Sequence, residues 1–303
     1  MILELALLAL AAVPLSIVVM VHWGFRAPRR RERGNPGEHG MAYETHTIDT
    51  VGGKHLFAWW LPTDPAAASV ILLHGWGGNA ELMLPLAVPF HRAGLNVLLL
   101  DARGHGNSDA AFFTSLPRFT EDLEHALAWL KARALPAQPI VLIGHSVGAG
   151  AVIYAASKRD DIDAVISVSA FAHPAWMMRR HLRQLGLPDW FSATLVRYVE
   201  WVIGARYETF APINTLCRVP CPVLLVHGAD DRAVPVTDAH SLAERCQGRD
   251  VGLLIIDEAG HDSVEVIEAH GSRLLEFLRE HGIAATATAD SQPAPTATGT
   301  GRV

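Results

Sequence analysis

The chain has 303 residues, half of them hydrophobic, which suffices for one large core and excludes a disordered chain of low hydrophobicity. A formal net charge of −6 argues against general nucleic-acid binding, and no nucleic-acid partner is expected. Three cysteines, Cys217, Cys221 and Cys246, cannot all pair internally; a reducing compartment or simple buried thiols is the easier reading, with a Cys217–Cys221 bridge left open.

In chain order, the first feature is apolar. Leu5 to Val21 carries no charge, and with Met1 to Glu4 and His22-Trp23 it reaches the about 20 residues that a helix needs to cross roughly 30 Å of hydrocarbon. Glu4 is the only early charge, which does not suit a cleaved signal peptide. Residues 1–23 therefore read as a transmembrane anchor; a helix packed on the domain surface is the competing reading. The flank Arg26-Ala27-Pro28-Arg29-Arg30-Arg31-Glu32-Arg33 predicts, by the positive-inside rule, a single-pass protein with its folded domain in the cytoplasm and arginines near anionic headgroups. Gly34 to Met41 completes a basic Gly/Pro linker over residues 24–41.

Thr45 to Thr50 and Lys54 to Leu61 read as a hairpin about Gly52-Gly53. Apolar runs then end repeatedly in polar signals: Val70 to Leu73 into His74-Gly75-Trp76-Gly77-Gly78, Val97 to Leu100 into Asp101-Ala102-Arg103-Gly104-His105-Gly106, Val223 to Val226 into His227-Gly228-Ala229-Asp230-Asp231, and Leu253 to Ile256 into Asp257-Glu258-Ala259-Gly260-His261. Buried parallel strands have this form, with functional loops at their carboxyl ends. Between these, Ile140 to Ile143 runs into Gly144-His145-Ser146-Val147-Gly148, which is Gly-x-Ser-x-Gly between an apolar strand and a small-residue helix. That is the form of a nucleophile elbow, which holds a serine on a strained turn.

Some fifty residues follow the strand ending near Ala170, with Trp176, Met177, Met178, Trp190, Trp201 and the basic cluster Arg179-Arg180-His181-Arg183; they read as a helical cap at about 171–212. Asp262 to His281 has helical periodicity, and the Ala/Thr/Pro-rich residues 284–303 read as a disordered tail. The sixteen histidines include no His-Glu-x-x-His, and there is no paired Cys-x-x-Cys, so no metal is expected. Gly148-Ala149-Gly150 lacks the rest of a nucleotide-binding fingerprint, and no cofactor is expected.

These motifs, over roughly Tyr43 to Gly282, resemble the α/β-hydrolase fold family, including its serine aminopeptidase and esterase-like branch. The resemblance implies a mostly parallel central sheet flanked by helices, with a helical cap insertion, over residues 42–283. In that family the nucleophile precedes the acid and the histidine comes last, the order in which Ser146, Asp231 and His261 stand. Asp231 lies in a His-Gly-x-x-Asp-x-x-Val-Pro segment resembling the family's acid loop, with Asp230 as the competing acid. By the same resemblance the backbone N–H groups of Trp76 and Val147 form the oxyanion hole. Asp101, Arg103 and His227 are expected to brace loops and His145 to pack, with His105 kept as a candidate substrate contact.

The implied activity is cleavage of a small-molecule carboxylic ester or related acyl bond, with a lipid-like substrate suggested by the apolar cap and the anchor. Aminopeptidase-like or acyl-transfer chemistry on the same triad, and a non-catalytic binding protein of this fold, remain open.

Overall fold

A computed structural model describes residues 18–19, 21–133 and 138–283. Its frame is an eight-stranded sheet: β1 (Glu44–Thr50), β2 (Lys54–Leu61), β3 (Ser69–Leu73), β4 (Asn96–Leu100), β5 (Ile140–His145), β6 (Ala164–Val168), β7 (Val223–Gly228) and β8 (Val251–Ile256). The spatial order is β1-β2-β4-β3-β5-β6-β7-β8, antiparallel for β1-β2 and β2-β4 and parallel thereafter. The hairpin turns where expected, through a three-residue loop, Val51-Gly52-Gly53, between the paired Thr50 and Lys54, and both glycines take the positive φ, 74° and 67°, that such a turn needs.

Strands β3, β4 and β5 are apolar on both faces because helices cover both. Ile71, Leu73, Leu98, Leu100 and Leu142 join the core beneath α2 (Leu116–Lys131) and α3 (Val147–Ala156), which also takes Leu242 of α6 (Val236–Arg245). Their alternates Val70, Leu72, Val97, Leu99, Val141 and Ile143 join the core beneath α1 (Leu84–Arg92), α7 (Val264–Glu268) and α8 (Gly271–Glu280). Between β6 and β7, α4 (Pro174–Gln184) and α5 (Asp189–Ile203) form the excursion.

Strand β3 is followed in space by β4 on one side and β5 on the other. This reversal opens a crevice outside the carboxyl ends of β3 and β5, the place where open α/β sheets bind ligands.

The N-terminal expectations need correction. Among the described residues no helix is long and apolar enough to cross a membrane, so the single-pass, cytoplasm-facing arrangement is withdrawn. Residues 1–17 and 20 of the apolar run lie outside the described residues, as does the tail 284–303. The described end of the run is packed on the domain: Val21 is 5% exposed in the core, and Phe25 stacks on Phe113 at 5.0 Å.

The basic flank is docked too. Arg29 donates from Nε to Gly106 O at 2.9 Å and from Nη2 to Ser108 O, Asn79 Nδ2 donates to Arg30 O at 3.2 Å, and Pro36 is buried. An arginine run suits carbonyl acceptors of a folded domain as well as lipid headgroups, and composition does not separate the two.

The cysteine reading also changes. Cys217 is bonded to Cys246, 29 residues away in sequence, with Cα atoms 5.2 Å apart, and Cys221 is free. Tertiary packing brings the segment after the excursion against the end of α6, a proximity that sequence spacing does not reveal. Burial pushes the Cys221 thiol up to about 11, so it is a poor nucleophile.

Candidate active site

Ser146 sits between β5 and α3 at φ 55°, ψ −114°, a conformation that an L-residue adopts only when its surroundings impose it. The neighbouring glycines are a steric requirement. A Cβ at Gly144 would run into the backbone of Gly148, and one at Gly148 would run into the carbonyls of Leu73 and His74. β3, the elbow and α3 therefore meet backbone to backbone. Gly75 is as tight, since a Cβ there would come within 3.0 Å of Ser146 Cβ. This contact puts the His74–Gly78 loop beside the serine and Trp76 on the cavity wall.

His261 reaches the site from the loop after β8. Its Nε2 lies 2.9 Å from Ser146 Oγ and its Nδ1 lies 2.7 Å from Asp231 Oδ2. Asp231, after β7, is fully buried at its side chain, and its Oδ1 accepts the N–H groups of Ala233 at 2.9 Å and Val234 at 2.8 Å. Burial opposes its charge, but hydrogen bonds from His227, His261 and the Val234 N–H outweigh that cost and hold the carboxyl below the usual carboxylate range. Asp230, the competing acid, is exposed, with only its N–H engaged, on Ala259 O at 3.0 Å. An ionised Asp231 accepts at Nδ1, so Nδ1 carries a proton and Nε2 is left free to accept from the serine.

The other polar residues brace this arrangement. His145 Nε2 donates to His261 O at 2.7 Å, fixing the backbone of the loop that carries His261; burial, then the nearby His261, depresses its pKa to about 4. His74 accepts the Ala102 N–H at 3.1 Å and donates from Nδ1 to Gly75 O at 2.7 Å, and burial holds it well below the usual histidine range. Asp101 accepts the N–H groups of Ala80 at 2.7 Å and Asn107 at 2.8 Å, tying the loops after β3 and β4 together. Arg103 pairs with Glu121 and with the buried Asp122 of α2, each at 2.6 Å. His227 Nε2 donates to Val234 O at 2.8 Å. His105 is buried against His74 and Phe119 rather than on the cavity wall.

The N–H of Val147, first residue of α3, has no helical partner, as at any helix start, and points with the helix dipole toward the serine end. Ser146 opens on a cavity of about 610 Å³ whose sheet-borne side includes His74 to Gly78, Leu82, Met83, Leu84, Pro85, His261 and Val264. Its other side comes from Pro28, Arg30, Gly34, Asn35, Glu38 and His39, and no residue of 171–212 lines it. Sequence reasoning did not find these N-terminal wall residues. The one available signal was the polar, Pro-containing character of a segment read as a linker.

Known proteins agree with this frame. The family model for serine aminopeptidase, S33, matches residues 64–206. Monoacylglycerol lipase of Mycolicibacterium smegmatis is 27% identical over 252 residues, covering 72% of this chain and 89% of that protein. The crystal structure of the Pyrococcus furiosus esterase Pf2001 superposes with TM-score 0.67 at 26% identity, over 84% of this chain and 97% of that one. The chain belongs to the α/β-hydrolase superfamily. Its general class is hydrolase. Members nonetheless differ in reaction, since non-heme chloroperoxidase of Streptomyces lividans is 28% identical over 241 residues, covering 64% of this chain and 84% of that protein.

Proposed function

We propose that this α/β hydrolase is a serine esterase that cleaves a small-molecule carboxylic ester through an acyl-enzyme. The observation that carries the reading is the line Ser146 Oγ, His261 Nε2 at 2.9 Å, His261 Nδ1 and Asp231 Oδ2 at 2.7 Å. Ser146 Oγ attacks the ester carbonyl as His261 Nε2 takes its proton. The resulting tetrahedral oxyanion is met by the N–H groups of Trp76 and Val147, each worth about 3 kcal/mol in comparable sites. Collapse expels the alcohol, which takes its proton from His261; water, deprotonated by His261, then attacks the acyl-Ser146 ester, and the second collapse releases the acid as His261 returns the proton to Ser146 Oγ. Asp231 holds the histidine tautomer and stabilises the imidazolium.

The apolar residues Leu82, Met83, Leu84 and Val264 beside Ser146 favour an acyl substrate with an apolar portion. Release of amino-terminal residues from peptides is the second reading, favoured by the S33 match. It needs free carboxylates for the substrate amine. Four carboxylates line the cavity: Glu81 accepts the N–H groups of Arg33 and Gly34, Glu38 accepts from Asn35 Nδ2, and Asp262 and Glu265 are exposed.

Labelling with a fluorophosphonate tests the reading. Wild type should label and Ser146→Ala should not, and p-nitrophenyl esters should turn over faster than aminoacyl-naphthylamides. A folded wild type that fails to label overturns it.

A further inference from the structure

Loops after β3, β5, β7 and β8 carry the proposed chemistry, yet the cavity has another wall, outside the family-matched residues 64–206. Pro28 is pressed on Gly77, where a Cβ would come within 2.9 Å of Pro28 Cγ, and Arg30, Asn35, Glu38 and His39 face the same space as Ser146. This strap is fastened by the Phe25–Phe113 stack, by Arg29 on the carbonyls of Gly106 and Ser108, and by Glu81, which accepts the Arg33 N–H at 2.7 Å and the Gly34 N–H at 3.0 Å.

Between these fasteners lies Glu32. Both its carboxyl oxygens are buried, and among the described residues neither meets a hydrogen-bond donor. They face Asp101: a methyl group on Gly106 would overlap an oxygen of Asp101 and an oxygen of Glu32 together, so the two carboxyls share one small volume. Two ionised carboxylates there would repel at low dielectric, whereas one shared proton makes a short, charge-assisted hydrogen bond.

The Ala80 and Asn107 N–H groups each hold one Asp101 oxygen and partly offset its charge; the charged groups around the pair add little more. On the strap, the Arg29 guanidinium is spent on two carbonyls. In the loop after β4, Arg103 is committed to Glu121 and Asp122, and burial lowers His105 to about 4. In the loop after β3, His74 is held neutral by burial, and Glu81 adds a negative charge. Burial, reinforced by Glu32, accordingly pushes the Asp101 carboxyl well above the usual carboxylate range.

We propose that residues 25–39 are a specificity-determining wall of the ester site, latched to the domain by one proton shared between Glu32 and Asp101. The substrate part rests on the esterase reading; the latch does not. The raised acid binds its proton more tightly when the strap is docked. Latching is therefore complete below the ordinary carboxylate pKa of about 4 and weakens as pH rises through the raised value. Glu32→Gln replaces the shared proton with an amide N–H donor to Asp101, so that variant should stay latched throughout.

Two measurements on the full chain test this. The first is hydrogen exchange of residues 25–39 at pH 5 to 8, corrected for intrinsic exchange. Wild-type protection should fall about tenfold or more across that range, and Glu32→Gln should hold it within about threefold. A pH-independent wild type, or a Glu32→Gln variant that keeps the wild-type slope, overturns the latch. The second is the ratio of kcat/KM for monooctanoylglycerol over methyl octanoate. Arg29→Ala, which unfastens the strap without touching the cavity, should change that ratio about fivefold or more. An unchanged ratio in a protein whose strap has lost protection overturns the wall. Absence of Ser146 labelling would count against the esterase reading alone, and the exchange data would still decide the latch.

Discussion

The sheet-borne wall of the Ser146 cavity and the strap wall facing it are held by different kinds of contact. Ser146, Asp231 and the His74–Gly78 loop each leave the carboxyl end of a buried parallel strand, His261 follows the half-buried edge strand β8, and at the elbow the chain touches itself through backbone atoms that admit only glycine. The strap has no strand beneath it. It is held mainly by side chains: a phenylalanine stack, Arg29 on two carbonyls, Asn79 on the Arg30 carbonyl, Glu81 on two N–H groups and a pair of carboxyls, with one backbone bond from Thr114 N–H to Phe25 O at 3.1 Å. Backbone-on-backbone packing leaves few alternative conformations, while a side-chain-fastened segment exchanges its contacts for water at little cost. The proposed chemistry thus sits on the wall held by backbone packing, and the side-chain contacts hold the other.

The widest separation between the walls should appear in turnover. Ser146→Ala and His261→Ala are expected to lower kcat/KM on p-nitrophenyl esters about 10⁴-fold or more, with Asp231→Asn close to 10⁴-fold. Asp230→Asn should stay within a few-fold, because that carboxylate is exposed and it is Asp231 that pairs with His261 Nδ1. A larger effect at Asp230 would sink the acid assignment.

Stability should separate them next. Gly148→Ala forces a methyl into the Leu73 and His74 carbonyls and should cost about 3 kcal/mol or more in urea denaturation, or prevent folding. Breaking the Cys217–Cys246 bond, which closes a loop of 29 residues, should cost about 3.5 kcal/mol on the chain-entropy model and leave ester kinetics nearly unchanged, since neither cysteine lines the cavity. Equal melting temperatures with and without reductant would remove that bond from the account.

Acid should act on the rigid wall in the opposite sense to its effect on the strap. Asp231 has a depressed pKa, so its contribution is present above the unfolded carboxyl value of about 3.9 and is lost as pH falls through the folded one. Urea midpoints measured down to pH 3 should therefore fall less steeply for Asp231→Asn than for wild type. A small effect is also expected at Trp76: its proposed role uses the backbone N–H, so Trp76→Phe should change turnover no more than a few-fold.

The parts that were legible in the sequence are local. Gly-x-Ser-x-Gly after an apolar strand specifies the elbow because the strain and its steric remedy lie within five residues. Gly52-Gly53 specifies the hairpin because positive φ is needed at two adjacent positions. Alternation in β3 to β5 was continuous rather than two-fold, which told of a sheet covered on both faces. The choice between Asp230 and Asp231 was not legible, since adjacent carboxylates differ only in which way the turn aims them. Nor was the cysteine pairing, which depends on where α6 ends in space.

The amino acids by themselves determined the order of strands and helices, the elbow and the supply of a serine, an acid and a histidine at three strand ends. Tertiary structure alone decided that Asp231 and not Asp230 reaches His261, that Cys217 meets Cys246, and that an arginine-rich segment lies along the cavity. The physical reason is range. Backbone sterics and strand periodicity act between near neighbours and are written in short words of sequence. A carboxyl paired with another 69 positions away, or a guanidinium on carbonyls 77 and 79 positions away, exists only after the sheet has brought them together.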